Sequence, residues 1–143
     1  MMSIQNIHPS SHRGQDAAIS AVLHAVGSHA HGSSTGIPLQ IDEGLVYDVH
    51  AATHEQYVME SAVVFMWTTI PYRAEWRYGP LAHKMIAQDS GHLCQNLYLA
   101  CASVGLGTCA IGAYHQEKMD QILDLDGQDE FTLYVATVGC LSN

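Results

Sequence analysis

At 143 residues, 48% of them hydrophobic, the chain can bury one sizeable core but hardly two, so a single domain over residues 1–143 is expected. Its formal charge is −9, with Arg13, Arg73, Arg77, Lys84 and Lys118 as the fixed cations, which argues against nucleic acid or an anionic membrane surface as a partner. Residues 1–15 lack the apolar run behind a basic end that a secretory signal needs, and no apolar stretch approaches the ~18 residues of a membrane-spanning helix, so a cytoplasmic protein is expected.

Taken in chain order, Ile19, Val22, Leu23 and Val26 recur at helical spacing between Asp16, a cap residue, and Gly27, a stop. They predict a short amphipathic helix. A loop rich in His, Gly and Ser follows over residues 27–36, then a short extended piece around Leu45 to Val49. Residues 61–70 (SAVVFMWTTI) are apolar on both faces and rich in β-branched and aromatic side chains. That composition suits an interior strand, which Pro71 ends.

Residues 81–106 place Ile86, Leu93, Leu97, Ala100 and Val104 at helical spacing, and from Leu93 to Val104 the segment is apolar nearly all round. This predicts a central helix buried in a core or an interface, with Gly105 and Gly107 at its end, where glycine accepts the left-handed conformation. A short strand at residues 108–111, a helix carrying Met119, Ile122 and Leu123, and a last strand at residues 131–138 complete the chain. The order predicts an α+β or mixed α/β domain with a long hydrophobic helix packed on a sheet.

Several constellations are weighed against plainer readings. Cys94, Cys101, Cys109 and Cys140 have no CxxC spacing and are read as buried thiols. His24, His29 and His31 fall close together, yet no local carboxylate or thiol completes a set, and no metal site is expected. Gly105-Leu106-Gly107 with Gly112 evokes a dinucleotide-binding turn. That turn must leave a strand and open a helix, whereas these glycines leave a helix and enter a strand.

More specific are Arg77-Tyr78-Gly79, the helix segment Gly91-His92-Leu93-Cys94-Gln95-Asn96-Leu97-Tyr98-Leu99-Ala100, and Gly105-Leu106-Gly107-Thr108-Cys109-Ala110-Ile111-Gly112. Leu123-Asp124-Leu125-Asp126-Gly127 and the closing Leu133-Tyr134-Val135-Ala136-Thr137-Val138-Gly139 follow. In order and spacing these resemble the C-terminal half of nitroreductase-like FMN-dependent oxidoreductases, in their SagB-type dehydrogenase branch. The resemblance implies a nitroreductase-like fold and a homodimer with FMN at the interface. It also implies hydride transfer through flavin N5, to or from a small molecule or a peptide heterocycle.

By position, Ile111, Gly112 and Ala113 are similar to the family turn whose backbone N–H groups face the flavin N5 and O4 edge. Fixed N–H dipoles stabilise the charge gathered by a reduced flavin without reorganising, and Gly112 permits close approach. Ser34 resembles a loop serine near the ring, though an ordinary loop serine fits equally well; at Gly112 an ordinary turn glycine is the less favoured alternative. Arg77 and Tyr78 sit where azoline-oxidising relatives carry a Lys-Tyr pair. Arginine stays protonated and cannot serve as a general base, whereas Tyr78 could relay a proton; the plain alternative is a surface Arg and a packed Tyr before the helix. His92 and Gln95 match the family helix, more in a structural than a chemical role.

The chain also departs from the family. No Arg-x-Ser-x-Arg segment precedes Ile19, the loop over residues 33–40 looks shortened, and no basic residue follows Gly139. A phosphate needs cationic or N–H partners, which Arg13, backbone or a second subunit would have to supply. A cofactor-poor structural or binding subunit is therefore the alternative reading.

Overall fold

The structure is a computed structural model that describes residues 21–26, 35–39 and 42–141. It is built on one five-stranded sheet in the order β2-β1-β3-β5-β4, with β1 at Ala21–Val26, β2 at Thr35–Leu39, β3 at Val63–Thr69, β4 at Leu106–Ile111 and β5 at Phe131–Cys140. Only β1 and β3 run parallel; the β1/β2, β3/β5 and β4/β5 pairs are antiparallel.

The centre of the sheet follows from residues 61–70. All seven residues of β3 are buried, because alternate side chains feed two cores. Val64 and Met66 join Val49, Val58, Ile111, Met119 and Val135 on one face. Val63, Phe65 and Trp67 join Cys101, Ala136 and Val138 on the other, with Leu93 and Leu97 packed against them. The first face is covered by α1 (Glu43–Ala52) and α4 (Gln116–Ile122), the second by the 22-residue α3 (Ala82–Ser103).

The expected long helix is thus α3, and Gly105, at φ +74, ends it in the left-handed conformation just past the Val104 cap. Its burial is lower than the sequence pattern suggests. Cys94 and Cys101 are buried, whereas Leu99 and Val104 are 61% and 63% exposed. Within one chain α3 is a covering helix whose exposed side is largely polar, with Leu99 as an apolar exception. The thiols divide likewise: Cys94 and Cys101 are buried, Cys109 is half-buried and Cys140 exposed.

Two expectations are corrected. The helix expected over residues 19–26 is the strand β1 where it is described. Its backbone is ladder-paired on both sides, Val22 to Leu39 and to Val64, and a helix there would leave a flank of β3 without partners. The extended piece expected at Leu45 to Val49 is the helix α1. Asp42 caps it by accepting the Leu45 N–H at 2.7 Å, and Val49 and Ala52 turn one face inward.

A short helix the periodicity did not reveal, α2 (Tyr72–Tyr78), starts at Pro71, whose carbonyl accepts the N–H groups of Ala74 and Glu75 at 2.8 and 3.0 Å. A 3-10 turn at Gly79–Leu81 joins it to α3. Opposite α2 the β3/β5 register slips: Trp67 faces Tyr134 and Thr68 faces Thr132, so Leu133 is an extra residue. This bulge lets Leu133 pack against Ala74, Ala82 and Ile86.

Candidate functional site

The turn after β4 is set by what ends that strand. The last ladder pair is Ile111 with Val135, and the Ile111 side chain is fully buried among Val49, Val58 and Met119. Gly112 and Ala113 then run exposed to solvent. A Cβ built on Gly112 would meet nothing within 4 Å, so the space above it is open. Among the described residues no acceptor is matched to the N–H groups of Gly112 and Ala113. The turn therefore offers donors that have no acceptor among the described residues, beside open space.

Neighbouring groups fix the turn. Upstream, the Tyr98 hydroxyl on α3 accepts the Ala110 N–H at 2.9 Å on the edge strand β4. Downstream, the His115 N–H donates to Ala52 O at 2.8 Å, at the end of α1. The Gln56 amide donates to Ala113 O at 3.1 Å and to Thr53 O at 2.8 Å. The His54 and His115 rings meet with centroids 4.4 Å apart. Gln56, His54 and His115 carried no sequence signal: His54, Glu55 and Tyr57 have φ of +55, +60 and +49, and no glycine or turn dipeptide announces that backbone.

The Arg77-Tyr78 pair closes α2. Arg77 is exposed and its guanidinium lies 5.5 Å from the Tyr78 ring centroid, within cation–π range. Tyr78 is half-buried against the cluster of Ala74, Ala82 and Ile86. The structure thus brings Arg77 to Tyr78, and Ile111 to Gly112 and Ala113. Among the described residues no hydrogen bond joins the two groups. His92 and Gln95 are both exposed on α3, so neither packs the core of this chain. Ser34 and Arg13 lie outside the described residues, as do His29 and His31. Among those described, no three His, Cys, Asp or Glu side chains gather as a metal site would require.

Tyr114 follows the turn, donating its hydroxyl to Thr132 O at 3.1 Å. Burial, together with the nearby Asp120 carboxylate, pushes its pKa up to about 12. It stays a neutral donor at any physiological pH.

Residues 11–140 match the family described as the nitroreductase family. The chain belongs to the nitroreductase family. A nitroreductase-type protein of Methanocaldococcus jannaschii is 28% identical over 100 residues, covering 69% of this chain and 49% of that protein. The chain therefore spans about half the length of that relative.

Among solved structures, a nitroreductase-type protein of Anabaena variabilis superposes with a TM-score of 0.64 at 24% identity, over 76% of this chain and 22% of the other. Nitroreductase A of Vibrio parahaemolyticus gives 0.60 at 23%, over 73% and 48%. A chain of the Escherichia coli microcin synthetase McbBCD complex gives 0.65 at 16%, over 76% and 41%. At these identities the likenesses establish the nitroreductase-like fold. Among the described residues no helix is long and apolar enough to cross a membrane.

Proposed function

We propose that the chain is the cofactor-bearing part of an FMN-dependent oxidoreductase, with the Ile111-Gly112-Ala113 turn bordering the N5 and O4 edge of the flavin. One observation carries the reading: exposed N–H groups at Gly112 and Ala113 without acceptors among the described residues, beside open space in the Cβ direction of Gly112. The residues present fit the ring edge of the cofactor. When bound, FMN supplies hydride transfer through N5 to or from a small molecule or a peptide heterocycle. The chain contributes fixed N–H dipoles, and Tyr78 is the proton donor on the substrate side, its ring packed against Ala74, Ala82 and Ile86. Arg77, always charged, orients rather than exchanges a proton.

The reading includes a homodimer. Leu99 on α3 and Val104 at its C-cap are apolar and exposed, which supports a contact with a second subunit, and sedimentation at micromolar concentration would read it directly. It also includes the SagB-type branch and a cytoplasmic setting, in which the four thiols stay reduced. The alternative is a structural or binding subunit beside a complete enzyme. The four fixed cations among the described residues, Arg73, Arg77, Lys84 and Lys118, are exposed on helices and none lies in the turn, which favours that alternative for the phosphate end.

The test is FMN titration followed by flavin absorbance, repeated with Gly112→Val. Gly112 does not have a positive φ, and its Cβ direction is open, so valine should leave the fold intact while blocking the ring. Wild-type binding lost in the variant is the expected result. Protein that stays colourless with added FMN favours the alternative, and a Gly112→Val protein that keeps its flavin and turnover overturns the placement.

A further inference from the structure

The strained segment after α1 stands out because its three left-handed residues, His54, Glu55 and Tyr57, are neither Gly nor Asn. Each such conformation is strained and persists only where surrounding contacts impose it. Those contacts are visible. Thr53, fully buried, ties its hydroxyl to Val49 O at 2.9 Å and His50 O at 3.1 Å, which anchors the start of the arch. Within the arch, Gln56 does not share the positive φ of its neighbours, and its amide reaches back to Thr53 and across to Ala113.

Both N–H bonds of that amide are used. One goes to Thr53 O within the arch and the other to Ala113 O, 57 positions away in sequence. The His115 N–H to Ala52 O bond and the His54–His115 ring contact flank it. Together they fasten both sides of the peptide that follows Ala113. A carbonyl held by the Gln56 amide fixes the plane of that peptide, and with it the direction of the adjoining backbone at Ala113.

We infer that Gln56 is a positioning residue: it holds the Ile111-to-His115 turn in the shape that presents the Gly112 and Ala113 N–H groups. The inference deepens the flavin reading above and rests on it for its functional consequence. The structural half stands by itself. The strain stored in His54, Glu55 and Tyr57 is what brings a side chain of glutamine length to Ala113 O.

Two variants test it. Gln56→Met keeps length and removes both donors; Gln56→Lys, one atom longer and flexible enough to fold back, restores a donor. Amide exchange at His115, followed by NMR on the protein without flavin, should accelerate about fivefold in Gln56→Met, the factor for one hydrogen bond of ordinary net worth. It should return to within about twofold of wild type in Gln56→Lys. In parallel, FMN dissociation constants should rise at least about fivefold in Gln56→Met and recover in Gln56→Lys. Unchanged His115 exchange in Gln56→Met overturns the clamp. Faster exchange with unchanged FMN affinity overturns the positioning role while leaving the flavin reading intact. Wild-type protein that binds no FMN sinks the flavin reading, and the exchange data then decide the clamp alone.

Discussion

Asp120 offers a test of how the α4 face is tied to the sheet. It is a buried carboxylate, 4% exposed. Its Oδ1 accepts the Thr132 N–H of β5 at 2.6 Å, and the Gln116 amide lies 3.1 and 3.0 Å from its two oxygens. Asp120→Ala removes a hydrogen bond to a charged group, worth about 1.5–3 kcal/mol, and leaves the Thr132 N–H buried without an acceptor. A loss of about 3 kcal/mol is expected. For a chain of this length each kcal/mol moves Tm by roughly 3 °C, so the melting midpoint should fall by about 10 °C. Asp120→Asn keeps an acceptor for Thr132 and gives up the charge, and should lose only about 3 °C. Thermal unfolding by circular dichroism reads both. An Asp120→Ala protein melting within about 2 °C of wild type would refute the assignment of this carboxylate as the tie between α4 and β5.

Three further outcomes are expected. The Tyr114 hydroxyl titrates at about 12 in the fold against an ordinary 10.0. Its contribution to stability is therefore complete below pH 10 and is lost as pH rises toward 12, because only the unfolded chain releases the proton in that window. Denaturant midpoints across this range should fall less steeply in Tyr114→Phe. The Thr132 hydroxyl is buried with no hydrogen-bond partner among the described residues; Thr132→Val keeps the shape and should raise stability by about 1 kcal/mol, measured by urea unfolding. Burial pushes the Cys94 and Cys101 thiols up, so timed alkylation read by mass spectrometry should label exposed Cys140 first and these two last.

The parts of the fold legible in the sequence are those decided locally. Residues 62–67 (AVVFMW) are apolar at consecutive positions, which suits a strand covered on both faces, and Gly105 ends α3 because φ +74 there suits glycine. Long-range pairing and capping decide the elements that differ. The segment AVLHAV of β1 fits either a helix or a strand, and the β3 edge beside it settles the choice. In α1, Leu45, Val46, Val49 and Ala52 follow helical spacing, and Asp42 supplies the start signal as its cap. The Gly112 turn was legible through its motif, whereas the Gln56 clamp spans 57 positions and leaves no pattern in sequence.

The position of β3 also bears on how the chain is made. Its two neighbours in the sheet are β1, which leaves the ribosome before it, and β5, which follows only after α2, α3, β4 and α4. Until β5 emerges, the most apolar strand of the protein has one open flank during synthesis. Non-local pairing of this kind slows folding and leaves a strand edge available to other nascent chains. Low temperature or chaperone supply during expression should therefore raise the soluble yield more than any surface substitution on the finished fold.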